Sequence, residues 1–296
     1  MFNTPHLVAL LSAICFFSVP PDRGLAAEPS QANVLYGKAQ GTELVLDFYA
    51  PKNSKRDVAP LIVWVHGGAW RAGSKSDMPL ENLMEDGFAV ASVDYRLSPV
   101  AKFPAQVHDI NAAIRFMRSN ASRFKIDGDR VVVMGSSAGG HLAALVGVSS
   151  EVAELSGNAS EYSVSNTRVQ AIVSFYGASN LQTILAQSTP HGLKVRVPAL
   201  DLLLGGQPEQ QPALARLASP VAHVDSNDPP IWMFHGDQDP QMPINQSHEL
   251  DGAYRKLGLR SKLQVIHGGK HGGQEFFDPQ LLRSLSKELQ ATLYPP

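Results

Sequence analysis

The chain has 296 residues, of which 44% are hydrophobic and 18% are charged, with 25 basic and 27 acidic side chains. This composition is that of a globular protein, and it excludes a disordered tail, a collagen-like repeat and a disulfide-rich scaffold. A net charge of −2 leaves no broad basic surface for nucleic acid or for an anionic membrane, so we expect neither as a partner.

The first predicted element is a leader peptide. Residues 7–19 are apolar and uncharged, and this run is shorter than the ~20 residues that a helix needs to cross a bilayer. Small residues follow up to Ala26 and Ala27, which predicts a signal peptide over residues 1–27, a secreted or periplasmic protein, and no membrane anchor after cleavage. The alternative is a retained N-terminal anchor. The only cysteine, Cys15, lies in the leader, so the mature chain would have no thiol catalysis, disulfide or cysteine-based metal site.

Short apolar runs rich in β-branched residues recur along the rest of the chain. Several are continuous rather than alternating, which is typical of parallel strands buried on both faces. The predicted strands are 44–46, 61–65, 89–93, 131–134, 171–175, 231–234 and 263–266, and the predicted helices are 105–119, 137–148, 246–257 and 279–293. This alternation predicts one α/β domain over residues 28–296. Residues 179–228 are rich in Pro, Gln and Gly and too long for a simple loop, so we expect a cap or lid insertion there.

The motif G-x-S-x-G at residues 135–139 follows one of these strands directly and precedes a predicted helix. A serine on such a tight, strained turn is lifted above the sheet edge, and a side chain at either flanking glycine would clash. The helix N-terminus beneath it favours developing negative charge. Ser137 is therefore the candidate nucleophile, and the alternative is an incidental glycine-rich turn.

A second glycine-rich strip, residues 66–70, also follows a predicted strand. Glycines there let the backbone approach a substrate carbonyl group. The amides of Gly68 and Ala69, together with that of Ala138 after the serine, are candidate oxyanion donors. His66 precedes the serine in the chain, and we expect it to orient this loop rather than to act as a base.

The serine needs a base and an orienting carboxylate, which follow it in the order acid, then histidine, in this type of fold. Asp239 is the predicted acid, in the loop after strand 231–234, with Asp237 as the alternative. His271 is the predicted base, because a glycine-rich loop can carry it back over the serine. His267 is the alternative base, although its place at a strand end favours a packing role.

Several of these motifs, taken together and in order, resemble the α/β-hydrolase esterase/lipase superfamily, and most of all the bacterial BD-FAE carboxylesterases, which include acetyl and feruloyl esterases. The motifs that carry the resemblance are residues 66–76 (beginning His66-Gly67-Gly68-Ala69-Trp70), 94–99 (beginning Asp94-Tyr95-Arg96), 103–106, 135–143 (beginning Gly135-Ser136-Ser137-Ala138-Gly139-Gly140), Asp228-Pro229-Pro230 and His235-Gly236-Asp237-Gln238-Asp239-Pro240. The likeness covers about residues 34–294.

The resemblance implies an α/β-hydrolase fold, a Ser–Asp–His triad and no cofactor or metal. It suggests a serine carboxylesterase acting on esters of small molecules or carbohydrates. The predicted cap is not conspicuously apolar, so we expect short-chain, acetyl-type acyl groups. The sequence departs from the family pattern at two positions, which makes the expected substrate less specific. Ala69 stands where many relatives have glycine or a bulky aromatic residue, and Ser136 stands where many have an acidic residue. Trp70 is expected either to line the pocket or to lie in the core. The alternatives are a kynurenine-formamidase-like amidohydrolase and a non-catalytic binding module.

Overall fold

The computed structural model describes residues 27–159, 162 and 164–295, so nearly all of the predicted leader lies outside the described residues. Eight strands form one sheet in these residues. They are β1 (Gln31–Ala39), β2 (Thr42–Tyr49), β3 (Ala59–Val65), β4 (Ala89–Val93), β5 (Ile126–Ser136), β6 (Ala171–Phe175), β7 (Ile231–Gly236) and β8 (Ser261–Ile266).

The strands are ordered β1-β2-β4-β3-β5-β6-β7-β8 across the sheet. β1 and β2 are antiparallel to each other, β2 is antiparallel to β4, and every pair from β4 to β8 is parallel. β3 and β4 are buried at every position, which accounts for their continuous apolar sequence. The seven predicted strands are confirmed.

β1 is the strand that the sequence did not predict. Only Val34 and Tyr36 of this strand are buried, and its other residues are half-buried or exposed, so it lacks a continuous apolar run. It is held at the sheet edge by a hairpin to β2, whose turn places Gln40 and Gly41 at φ angles of 49° and 82°. Two successive residues with positive φ suit the right-handed twist of a hairpin. The turn and the pairing, rather than hydrophobicity, define this strand.

Helices pack on both faces of the sheet. Those in the described residues are α1 (Glu81–Glu85), α2 (Ala105–Ser119), α3 (Ala121–Phe124), α4 (Ala138–Val148), α5 (Ala153–Ser156), α6 (Ile184–Gln187), α7 (Pro190–Leu204), α8 (Pro212–Leu217), α9 (Asn245–Lys256) and α10 (Pro279–Leu293), with 3-10 turns at Pro220–Ala222 and Gln274–Phe277. The apolar faces of α2, α4 and α9 pack on one side, and those of α1 and α10 on the other. The four predicted helices are confirmed to within one residue at each end.

The connection from β6 to β7 includes residues 179–228, where we expect a cap or lid. It contains α6, α7, α8 and a 3-10 turn. Leu200 and Leu203 of α7 are fully buried and belong to the same hydrophobic core as α2, α4 and α9. Its assignment as a cap stays a prediction. Within the described part of the chain, no helix combines the length and the apolar character needed to cross a bilayer.

Candidate active site

The nucleophile candidate lies at the junction of β5 and α4. Ser137 has φ 54° and ψ −118°, a strained conformation for a residue with a side chain, and its amide donates to the Phe175 carbonyl oxygen at 2.8 Å. A Cβ atom at Gly135 would stand 2.4 Å from the Gly139 carbonyl oxygen, and one at Gly139 would stand 2.0 Å from the Val65 carbonyl oxygen. Both flanking glycines are therefore required by the closeness of the backbone, as the motif predicts.

Two loops at the carboxyl ends of β7 and β8 bring the predicted base and acid to this serine. His271 Nε2 lies 2.8 Å from Ser137 Oγ, and His271 Nδ1 lies 2.7 Å from Asp239 Oδ2. Parallel strands end at the same edge of the sheet, so residues far apart in sequence meet there. The arrangement allows the imidazole to take a proton from the hydroxyl while the carboxylate holds the imidazole in the required tautomer.

The carboxylate of Asp239 is kept ionised by its hydrogen bonds. Burial raises the pKa of Asp239, but hydrogen bonds from His235, from His271 and from the Met242 amide outweigh it, so this pKa lies well below its ordinary value. The Oδ1 atom accepts from the amides of Gln241 and Met242, each at 2.8 Å. Burial lowers the pKa of His271 below its ordinary value, and the neighbouring Asp239 counteracts this only in part. The imidazole is therefore neutral, and able to act as a base, at pH 7.

The alternative acid and base form a pair of their own. His267 Nδ1 lies 2.9 Å from Asp237 Oδ2, and 88% of the His267 side chain is exposed. The expectation that His267 is a packing residue is wrong, because the strand end at which it stands opens to solvent. The hydroxyl of Ser137 is hydrogen-bonded to His271 and not to His267.

His66 lies at the start of the glycine-rich loop after β3 and contacts that loop. It is buried, its ring stacks on Tyr95 with 4.4 Å between centroids, and its Nδ1 lies 2.8 Å from the Gly67 carbonyl oxygen. Burial lowers its pKa. These contacts suit the predicted role of His66 in orienting the loop.

The predicted oxyanion strip has an unusual backbone conformation. Gly68, Ala69 and Trp70 have φ angles of 102°, 51° and 60°. The Gly68 carbonyl oxygen accepts from the amides of Arg71 and Ala72, which closes a tight turn. Among the described residues, no backbone carbonyl oxygen of a turn or loop accepts a hydrogen bond from the amide of Gly68 or of Ala69. Both residues line the cleft beside the serine. Ala69 thus has a positive φ, in the left-handed region that favours glycine.

Ala138 is the first residue of α4, so its amide is one of the N-terminal groups that a helix leaves without an intrahelical acceptor. It follows the serine directly and lies at the positive end of the helix dipole. Together with the two amides of the glycine-rich strip, it can bind a negatively charged oxygen.

Trp70 lies in the core rather than in the pocket. It is fully buried, and its indole N–H donates to Nδ1 of His141 at 3.0 Å. The other ring nitrogen of His141 faces the Ala218 carbonyl oxygen at 2.7 Å, and burial lowers the pKa of His141 to about 4. Trp70 and His141 therefore connect the glycine-rich loop after β3 to Ala218, which lies just before the 3-10 turn at Pro220–Ala222.

Three residues near the triad were not predicted as site residues. Tyr176, directly after β6, contacts His271 edge to face with 4.9 Å between ring centroids. Gln241 lines the cleft. His235 is fully buried, and its Nε2 lies 3.5 Å from Asp239 Oδ2. Position after a buried strand is the sequence signal that could have indicated Tyr176.

These groups surround an open cleft of about 480 Å³. Its walls include Gly68, Ala69, Ser137, Tyr176, Gln241 and His271. The candidate nucleophile Ser137, the candidate base His271 and the two strip residues Gly68 and Ala69 therefore line a common space. Within the described residues there is no group of three or more His, Cys, Asp or Glu side chains placed to hold a metal ion.

Comparison with known sequences gives a family match over most of the domain. The sequence model of the BD-FAE family matches residues 46–254. Esterase LipQ of Mycobacterium tuberculosis is 30% identical over 263 residues, an alignment that covers 87% of this chain and 57% of LipQ. The chain thus spans less than two thirds of the length of this relative.

Comparison with solved structures gives matches over whole chains. A truncated carbohydrate esterase from gut microbiota superposes with a TM-score of 0.81 at 29% identity, covering 90% of this chain and 97% of that one. Esterase 2 of Thermogutta terrifontis, phosphonylated by sarin, superposes with a TM-score of 0.75 at 25% identity, covering 91% and 98%. The predicted α/β-hydrolase fold is confirmed by these neighbours and by the mostly parallel sheet.

Proposed function

Because the chain belongs to the BD-FAE family, we propose that it is a serine carboxylesterase that hydrolyses short-chain, acetyl-type esters, including esters of carbohydrates, through an acyl-enzyme. The observation that carries the proposal is the hydrogen-bonded line from the Ser137 hydroxyl through His271 to Asp239. A serine hydroxyl is a weak nucleophile, and a neutral imidazole within hydrogen-bond distance is what activates it.

In the acylation step, Ser137 Oγ attacks the ester carbonyl carbon while His271 Nε2 takes the hydroxyl proton. The imidazolium that forms is stabilised by the ionised carboxylate of Asp239, which stays ionised throughout. The tetrahedral intermediate collapses, the carbon–oxygen bond to the alcohol breaks, and His271 gives its proton to the leaving alcohol. Water then repeats the sequence on the acyl-enzyme and releases the carboxylic acid.

The negative charge that develops on the carbonyl oxygen is bound by the amides of Gly68, Ala69 and Ala138. These donors are part of the backbone and are held in place before the substrate arrives, so they need no reorganisation during the reaction. Loss of one such donor typically costs ~2.7–4 kcal/mol of transition-state stabilisation. The positive φ angles of Gly68 and Ala69 shape the part of the loop that would present these amides to the substrate.

Two relatives support the substrate class and the reactive serine. The gut carbohydrate esterase matches over 97% of its own chain, which supports a carbohydrate ester as the substrate. The Thermogutta enzyme is phosphonylated by sarin, a reagent class that requires an activated nucleophile, and the same reactivity is proposed for Ser137. The cleft is open, and the described residues that line it include no Leu, Ile, Val, Met or Phe, which favours a short acyl group over a fatty-acid chain.

The test compares Ser137→Ala with Ser136→Ala, a matched change at the neighbouring serine. Ser137→Ala should lower the turnover of p-nitrophenyl acetate by about 10⁶-fold, to background, whereas Ser136→Ala should retain turnover. A fluorophosphonate probe should label the wild type on the peptide that contains Ser137. Turnover in folded Ser137→Ala, or labelling elsewhere, would refute the assignment.

The substrate is tested with a series of p-nitrophenyl esters, acetylated sugars and N-formylkynurenine. Acetyl and propionyl esters should have the highest kcat/KM, and acetylated sugars should be hydrolysed. Faster cleavage of long acyl chains, or of the formamide, would contradict the proposed substrate class and leave the serine mechanism intact.

A further inference from the structure

One face of helix α7 lies against the loop that carries Asp239. The hydroxyl of Thr189, the N-cap of α7, donates to the Pro240 carbonyl oxygen at 2.5 Å. About two turns further along the helix, Nη2 of Arg196 donates to the Gln241 carbonyl oxygen at 3.3 Å. The helix therefore holds two successive carbonyl groups of this loop from the same face.

These two carbonyl groups belong to the peptide units whose N–H groups orient the acid. The peptide unit that contains the Pro240 carbonyl ends in the Gln241 amide, and the next unit ends in the Met242 amide. Both amides donate to Oδ1 of Asp239 at 2.8 Å. Each unit is thus held at its carbonyl by α7 and at its N–H by the carboxylate. A hydrogen bond to a peptide carbonyl also polarises the N–H of that unit, which strengthens the bond at the other end.

Arg196 is buried although it carries a charge. It is fully buried, and among residues 27–159, 162 and 164–295 no acceptor lies within hydrogen-bond distance of its Nε or Nη1. Its guanidinium faces the ring of Trp70, 5.9 Å from the centroid. Burial lowers the pKa of Arg196 to about 10, while the charge of Asp239 acts in the opposite direction. An uncharged side chain would be buried here at lower cost, so the charge calls for an explanation beyond packing.

The charge acts on the base as well as on the acid. The titratable and charged groups around His271 come from several elements. They are Asp239 from the loop after β7, His235 from β7 itself, Arg196 from α7, Tyr176 after β6, and Lys270 and Glu275 near His271 in sequence. The positive charge of Arg196 disfavours the protonated form of His271, whereas that of Asp239 favours it. Removing the charge of Arg196 should therefore raise the pH at which His271 becomes protonated.

We propose that Thr189 and Arg196 are positioning residues for the catalytic acid, which hold the loop after β7 so that Asp239 meets the imidazole in the reactive geometry. The inference rests on the proposed function, since it takes Asp239 as the catalytic acid. It gives α7, part of the segment predicted as a cap, a contribution to catalysis that acts through Asp239.

The experiment measures kcat and KM for p-nitrophenyl acetate from pH 4 to 9 in Arg196→Gln, Arg196→Lys and Lys194→Gln. Lys194 is exposed on the same helix, so its change removes one positive charge without touching the loop. Arg196→Gln should lower kcat about tenfold or more, because small displacements of catalytic groups have effects up to ~10²-fold, with little change in KM. Its acidic limb should move to higher pH. Arg196→Lys should keep the wild-type limb, and Lys194→Gln should match the wild type throughout.

A second pair of variants keeps the test decisive if Arg196→Gln does not fold. Thr189→Val removes the hydroxyl that holds Pro240, whereas Thr189→Ser keeps it. Thr189→Val should lower kcat with KM unchanged, and Thr189→Ser should match the wild type. Equal kcat in Thr189→Val and Thr189→Ser, or a folded Arg196→Gln with wild-type kcat and acidic limb, would overturn the inference. A loss of kcat that is the same in Arg196→Gln and Arg196→Lys, without movement of the limb, would also overturn it, since it would indicate packing alone.

The two proposals fail in different ways. If the wild type is not labelled by a fluorophosphonate at Ser137, the proposed function fails. If it is labelled and the variants of Thr189 and Arg196 behave as the wild type, only the inference about α7 fails.

Discussion

Asp237 and His267 lie 2.9 Å apart and form a second acid–imidazole pair beside the catalytic candidates. The loops after β7 and β8 contribute both pairs, so each loop carries one residue of each. Only the pair of Asp239 and His271 is joined to the serine hydroxyl. The side chain of Asp239 is fully buried, whereas those of Asp237 and His267 are partly or largely exposed.

The two aspartates give a matched comparison. Asp239→Asn removes the negative charge that stabilises the imidazolium and should lower kcat by about 10³- to 10⁴-fold. Asp237→Asn should leave kcat within about twofold, because a surface pair of this kind contributes little. Steady-state kinetics on p-nitrophenyl acetate checks both. Comparable losses in the two variants would show that the catalytic acid is misassigned.

The pH dependence of kcat/KM should report the neutral form of His271. Burial lowers the pKa of His271 below the ordinary value of ~6.5, so the imidazole is neutral above that lower pKa and protonated below it. Activity should therefore be full near pH 7 and fall as the pH drops through a midpoint below ~6.5. His267→Gln serves as the control and should not move this midpoint. A midpoint above ~6.5 would contradict the effect of burial.

The space around Gly139 in the nucleophile turn and around Gly252 in α9 predicts opposite outcomes for their changes to alanine. In Gly139→Ala the new Cβ would lie 2.0 Å from the Val65 carbonyl oxygen, so the backbone must move and stability should fall by ~1–3 kcal/mol or more. Gly252, in helix α9, has nothing within 4 Å of such an atom. Gly252→Ala should raise stability by up to ~1 kcal/mol. Denaturant unfolding measures both. An unchanged stability in Gly139→Ala would mean that the turn is looser than these distances require.

Export remains a proposal, carried by the apolar run at residues 7–19 and the small residues after it. Protein produced with its full sequence should be recovered from the periplasm or the medium with Ala27 or Glu28 as the first residue. N-terminal sequencing measures this. A variant in which residues 7–19 are deleted should stay in the cytoplasm with its original N-terminus. Soluble wild-type protein that begins with Met1 would contradict the proposal.

Local features of the site could be predicted because local sterics impose them. The turn at Ser137 needs glycine on both sides, wherever the rest of the chain lies. Strands such as β3, buried on both faces, require an uninterrupted apolar run. β1 does not require such a run, because it is an edge strand paired in a hairpin and buries only Val34 and Tyr36. Its sequence signal is therefore weak.

The choice between like residues in one loop depended on the tertiary structure. Each choice is between two residues of the same type that lie close in sequence, namely Asp237 or Asp239 and His267 or His271. What separates them is which side chain points toward the serine across a gap of over a hundred residues, and which is enclosed by other loops. The burial of the Arg196 charge beside the triad likewise arises from the packing of α7 against the loop after β7.

The sequence by itself therefore determined strands β2 to β8, helices α2, α4, α9 and α10, the nucleophile turn and the family resemblance, because each depends on residues that are neighbours in the chain. Only the tertiary structure decided which acid and which imidazole meet at Ser137, that Trp70 lies in the core, and that α7 holds the acid loop. Those outcomes depend on distances between segments that are brought together at one edge of the sheet.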